Sequence, residues 1–211
     1  MWLKDRLQEF LFPNNACIFC ARESVLDANT QSCASCRRIL PYLHKAACIR
    51  GVEVYSVFLY KKPVRECILS FKLQNNRYMA KPLAYFLSQA YGGLCTRAQI
   101  AVPVPMHEKK RRERGYNQSW LLCAALGNLC GIAAEEGCLI KTKETVSQTE
   151  LNERQRAENV KGVFRADGRV EGKSVLLIDD VVTTGSTLYE CAHALYRAGA
   201  KEVNALTLAK R

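Results

Sequence analysis

With 211 residues and 48% apolar content, the chain can bury one good core and carry a small appended module, and nothing in its composition suggests disorder. A formal charge of +11 favours polyanionic partners such as nucleic acid or phosphorylated metabolites, without locating a site. Eleven cysteines would suit a disulfide scaffold in a small secreted chain. Here four stand in two Cys-x-x-Cys pairs and the others are scattered through apolar surroundings, the pattern of a cytoplasmic protein.

The opening MWLKDRLQEFLF is amphipathic. Asp5 and Glu9 interrupt any signal-peptide core and the stretch is too short to span a bilayer, so a short docked helix and no membrane span are expected. Cys17 and Cys20 bracket two residues, Cys33 and Cys36 do the same, and twelve residues separate the pairs. Two such knuckles present four thiolates to one tetrahedral zinc ion, a closed structural site; a redox pair is the competing reading. His44 and Cys48 are spare ligand candidates, while Cys67, Cys123, Cys130 and Cys191 suit core positions.

Residues 52–60 read as a strand, 61–63 as a turn, and 78–91 as an amphipathic helix ending at Gly92-Gly93. Lys61, Lys62, Arg65, Lys72 and Arg77 lie beside Phe71 and Tyr78, either a nucleic-acid surface or a solvated hairpin face. A strand at 99–104 leads into a loop with Lys109, Lys110, Arg111, Arg112 and Arg114. Arg111, Arg112 and Arg114 suit pyrophosphate or a nucleic-acid backbone; Tyr116 suits base stacking, and Trp120 the core. A helix at 119–130 and a further strand follow. The polar segment 142–164, with Arg154, Arg156 and Lys161, is either a lid or a helical surface excursion. The chain ends in a strand at 174–178, a helix at 188–198, Gly199 in a helix-ending left-handed conformation, and a strand at 202–208. Strands alternating with helices imply an α/β fold whose mostly parallel sheet is covered on both faces.

The stretch VLLIDDVVTTGST carries the most specific chemistry. Its apolar strand delivers Asp179 and Asp180 to the carboxyl end of the sheet, where open α/β sheets bind ligands. Thr183, Thr184, Gly185, Ser186 and Thr187 then lead into a helix, and converging amides, hydroxyls and the helix amino terminus suit a phosphate monoester. The carboxylates would repel that phosphate, so they accept hydroxyl hydrogen bonds about one sugar ring away or hold magnesium. Together these features describe a ribose 5-phosphate site.

This layout resembles the type I phosphoribosyltransferase signature for phosphoribosyl pyrophosphate (PRPP). The two Cys-x-x-Cys pairs, Pro103-Val104-Pro105, Arg114-Gly115-Tyr116-Asn117-Gln118, Gln148 with Arg154 and Asn159, and IDDVVTTGST together resemble the ComF family over nearly the whole chain. The resemblance implies a zinc-binding module over residues 1–50. It implies a type I phosphoribosyltransferase fold over 51–211, with a small hood region near 51–95. It further implies PRPP bound with magnesium at Asp179, Asp180 and residues 183–187. A pyrophosphate or nucleic-acid loop would include Asn117 beside Arg111, Arg112, Arg114 and Tyr116, and a lid would carry Arg154, Arg156 and Asn159. The role it implies is cytoplasmic handling of single-stranded DNA during natural transformation, with a helicase-like translocation partner. The other reading is an active transferase moving ribose 5-phosphate to an unidentified acceptor, with no catalytic residue assigned. Purine-salvage relatives place an Asp where Thr183 stands, so a purine acceptor is disfavoured.

Overall fold

The computed structural model describes residues 15–43, 46–93, 97–143 and 160–211. β1 (Ala47–Ile49) and β2 (Val52–Leu59) form an antiparallel hairpin closed by Arg50 and Gly51. Both turn residues take positive φ, 52° and 84°, which matches the twist of a two-residue hairpin. β3 (Ile100–Pro103), β4 (Ala133–Ala134), β7 (Ser174–Val182) and β8 (Glu202–Lys210) complete a six-stranded sheet. Its order is β1-β2-β8-β7-β3-β4, and every pairing beyond the hairpin is parallel. β5 (Leu139–Lys141) and β6 (Phe164–Ala166) form a separate antiparallel pair.

The run of apolar residues in β7 reflects burial on both faces. Leu176 and Ile178 join Phe71, Leu83, Leu87, Leu122 and Leu126 in one core, whereas Val175 and Leu177 join Leu188, Cys191 and Leu195 in the other. Thus α2 (Val64–Leu73), α3 (Ala80–Gly92) and α5 (Gln118–Cys130) cover one face, and α6 (Ser186–Arg197) covers the opposite one. Each fully buried Leu or Phe adds about 1.5–3 kcal/mol of transfer free energy. Gly199 takes φ +88° after α6, the left-handed ending expected of it.

Two elements depart from the sequence reading. Residues 64–73, taken as basic hairpin or surface, form α2. Val64, Cys67, Ile68 and Phe71 recur at helical spacing and are all buried. β7 does not stop at Ile178 but continues through both aspartates to Val182, because β8 pairs with it as far as Lys210. On its other side β3 ends at Pro103, opposite Ile178. Beyond that point, among the described residues, β7 pairs on one edge only, so Asp179 and Asp180 lie where the sheet opens.

The cysteine module packs directly on this sheet. Phe19, between the first two cysteines, meets Phe58 of β2 and Phe86 of α3 edge-to-face, at 6.4 and 5.9 Å between ring centroids. α1 (Ala34–Ile39) begins at the second cysteine pair, with Cys33 as its N-cap. The β1–β2 hairpin straddles residue 50, so the module and the larger fold are joined through a shared strand pair as well as a shared core. Among the described residues no helix is long and apolar enough to cross a membrane.

Candidate ligand site and cysteine centre

Residues 183–187 and Asp179 line one cavity of about 50 Å³, together with Val181, Val182 and Leu188. Gly185, at φ +76°, turns the chain into α6. A Cβ there would lie 2.3 Å from Cγ2 of Ile49, so the loop needs glycine both for its backbone and for the close approach of β1. The hydroxyls of Thr184 and Ser186 stand 3.0 Å apart. The Ser186 amide at the start of α6 donates to Thr184 Oγ1 at 3.5 Å, and the positive end of the helix dipole favours an anionic ligand beside the loop.

At the open end of β7, Asp179 Oδ1 accepts hydrogen bonds from the Ser119 hydroxyl (2.9 Å) and the Asp180 amide (2.9 Å). Asp180 Oδ1 receives the ammonium of Lys72 at 2.7 Å. Among the described residues these contacts fall on Oδ1 of each carboxylate. Burial, reinforced by the charge of Asp180, pushes the Asp179 carboxyl up to about 7; Lys72, the Asp180 amide and Ser119 pull the other way.

The segment after β3 holds this arrangement in place. α4 (Glu108–Arg114) ends at Gly115, φ +80°. Tyr116 is buried, and its hydroxyl donates to the Phe71 carbonyl of α2. Arg77 covers its ring at 5.0 Å, so Tyr116 serves as a scaffold here rather than the base-stacking surface expected of it. Asn117 caps α5 through the Ser119 amide and donates to the Val104 carbonyl, while Gln118 donates to the Lys72 carbonyl. Trp120 packs against the core as expected.

Of the expected basic loop residues, Arg111 pairs with Glu108 and Glu136, and Arg112 pairs with Glu108. Arg114 donates to Gln118, and with Lys72 it depresses the Lys110 pKa, although partial burial of that lysine is the larger cause. Arg154, Arg156 and Asn159 lie outside the described residues, as do Gln148, His44 and the expected opening helix. Lys72 is expected from sequence on a nucleic-acid or solvated surface and instead meets Asp180, while Ser119 and Ile49 carry no sequence expectation as site residues. For Lys72 the signal was the helical period of α2, which places it one residue after the buried Phe71.

Cys17, Cys20, Cys33 and Cys36 bring their sulfurs within 4.8 Å of one another. A tetrahedral zinc with Zn–S bonds of about 2.3 Å separates its sulfurs by roughly 3.8 Å, so the four residues fit such an ion. The Cys33 amide donates to Cys17 Sγ at 3.3 Å and the Cys36 amide to Cys33 Sγ at 3.4 Å. The Cys36 amide draws the Cys33 thiol down to about 7, while burial holds Cys20 and Cys36 up. A divalent cation supplies the positive charge that lets all four ionise together. Cys48 is exposed on β1 and outside the cluster.

Residues 137–211 match the phosphoribosyl transferase domain, and with the sheet described above they define a protein of the type I phosphoribosyltransferase fold. The chain is 32% identical over 208 residues to DNA utilization protein YhgH of Salmonella typhimurium, covering 92% of this chain and 89% of that protein. It is 29% identical to Competence protein F of Haemophilus influenzae, covering 92% and 84%. An adenine phosphoribosyltransferase structure from Leishmania tarentolae aligns at 16% identity and a TM-score of 0.43, over 67% of this chain and 75% of that one. The chain belongs to the ComF family.

Proposed function

We propose that the protein binds PRPP through the loop at residues 183–187 and the Asp179–Asp180 pair, and that it handles single-stranded DNA during uptake. The observation that supports the first part most directly is the placement of two carboxylates near the open end of β7, two strand residues before a small-residue loop whose cavity Asp179 also lines. The loop would take the 5-phosphate and the carboxylates the ribose hydroxyls. Lys110 and Arg114 would face the pyrophosphate; partial burial, with the charges of Arg114 and Lys72 beside it, lowers the Lys110 pKa. The acid pair is a poor direct site for magnesium, because Lys72 already occupies Asp180 and Asp179 Oδ1 accepts two hydrogen bonds. Magnesium would arrive on the ligand's pyrophosphate. Zinc would be held by Cys17, Cys20, Cys33 and Cys36 as a structural ion, supplying cross-linking rather than chemistry. A cytoplasmic setting agrees with cysteines gathered for a metal.

DNA handling draws its support from the names of the relatives and from the charge of +11. Calorimetric titration of magnesium–PRPP into the zinc-loaded protein tests the first part. Binding that Asp179→Asn/Asp180→Asn loses supports it, and no binding by the wild type overturns it. Pyrophosphate release in the same sample, with candidate acceptors, would establish the transferase reading. Single-stranded DNA affinity should fall steeply with salt and survive the double substitution; insensitivity to salt removes the DNA part.

A further inference from the structure

We propose that Lys72 is the resident counter-cation of the Asp179–Asp180 pair, filling at these carboxylates the place that a divalent metal would otherwise take. The inference rests on reading the pair as the ligand's hydroxyl acceptor, although its first test needs no sugar phosphate. Two adjacent carboxylates at the end of a strand, with side chains largely withdrawn from water, create a concentrated negative field that demands compensation. Lys72 supplies it from a helix more than a hundred residues away in sequence: its ammonium meets Asp180 at 2.7 Å, with the two side chains only 21% and 11% exposed.

Its placement is built rather than adventitious. Tyr116 donates to the Phe71 carbonyl and Gln118 to the carbonyl of Lys72 itself, so the last turn of α2 is gripped from the segment that follows α4. Ser119, two residues beyond Asn117, donates to Asp179. One short stretch, residues 116–119, thus fixes both the lysine and the first carboxylate. Val64, Cys67, Ile68 and Phe71 bury the face of α2 that adjoins Lys72, with Ile68 one turn before it, so the rotation of the helix about its axis is fixed and Lys72 stands at the edge of the buried stripe. A lysine fixed in this way leaves the acids as hydroxyl acceptors while cancelling the charge that would recruit metal. The magnesium requirement of ligand binding then comes from the pyrophosphate alone.

The test is titration of Mn²⁺ alone into the zinc-loaded protein, following the free-ion signal by electron paramagnetic resonance. Wild type should bind Mn²⁺ weakly. Lys72→Met should bind it at least about tenfold more tightly, as expected when a close like-charged cation is removed. Lys72→Arg should behave as wild type, and Lys72→Met/Asp180→Asn should lose the gain. A natively folded Lys72→Met protein with unchanged Mn²⁺ affinity overturns the proposal. So does tight Mn²⁺ binding by wild type that Asp180→Asn abolishes, a result that requires no lysine variant to fold. Failure of PRPP to bind would be seen in its own titration and leaves these outcomes distinct.

Discussion

Gly185 carries two constraints in one residue. Its φ of +76° costs a residue with a side chain about 1–2 kcal/mol, and the Ile49 methyl occupies the space a Cβ would need. Gly185→Ala should therefore lose at least that much stability in urea denaturation and weaken PRPP binding further, since the loop or β1 must move. Asp179 makes a second prediction, in pH. With its carboxyl pushed up to about 7 from an ordinary 3.8, the folded protein keeps a proton between about pH 4 and 7 that the unfolded chain has released. Stability of the magnesium-free protein should fall as pH rises through that window, and the full loss should persist above it. Asp179→Asn, which still accepts from Ser119 and the Asp180 amide, should melt with wild type near pH 5 and above it at pH 8. The acids and the loop were legible in sequence because strand, acids and small residues are contiguous there. Lys72 and Ser119 were not, because their partners lie 108 and 60 positions away.

Among the elements, α2 is the instructive one. Its helical period is present in the sequence, but Arg65 and Lys72 fall within it and continue the basic run of Lys61 and Lys62, which also fits a solvated surface. The strand at 202–208 and the helix at 119–130 were readable because apolar runs and terminal signals agree, and the observed bounds, Glu202–Lys210 and Gln118–Cys130, differ by two residues or fewer. The length of β7 was not readable, since it depends on how far β8 pairs alongside it. Tyr116, read as a candidate for stacking, is a fastener between α2 and α5. Tyr116→Phe removes the donor to the Phe71 carbonyl and should cost about 1–2 kcal/mol by urea denaturation. It should also shift Mn²⁺ affinity in the direction of Lys72→Met, because the end of α2 is loosened.

Across the whole molecule, the cysteine module is part of the main core rather than a separate bead. Phe19, Phe58 and Phe86 form a mutually packed aromatic group, with 5.2 Å between the last two rings. Phe19→Ala should cost about 3–5 kcal/mol, the range for truncating a buried aromatic, with a single unfolding transition shifted as a unit. Two separate transitions would mean that module and sheet fold independently. Chain continuity runs from the second knuckle through Pro41 and Leu43, whose backbone groups bond Leu59 and Val57 of β2.

The contact between Ile49 and Gly185 bears on the thermodynamics of capture. A loop braced by a hairpin has fewer conformations to surrender, so less ordering entropy would oppose the binding proposed for it. The brace belongs to a strand pair that begins just beyond the cysteine module, so the order of the loop depends on the β1–β2 hairpin as well as on its own thirteen-residue stretch.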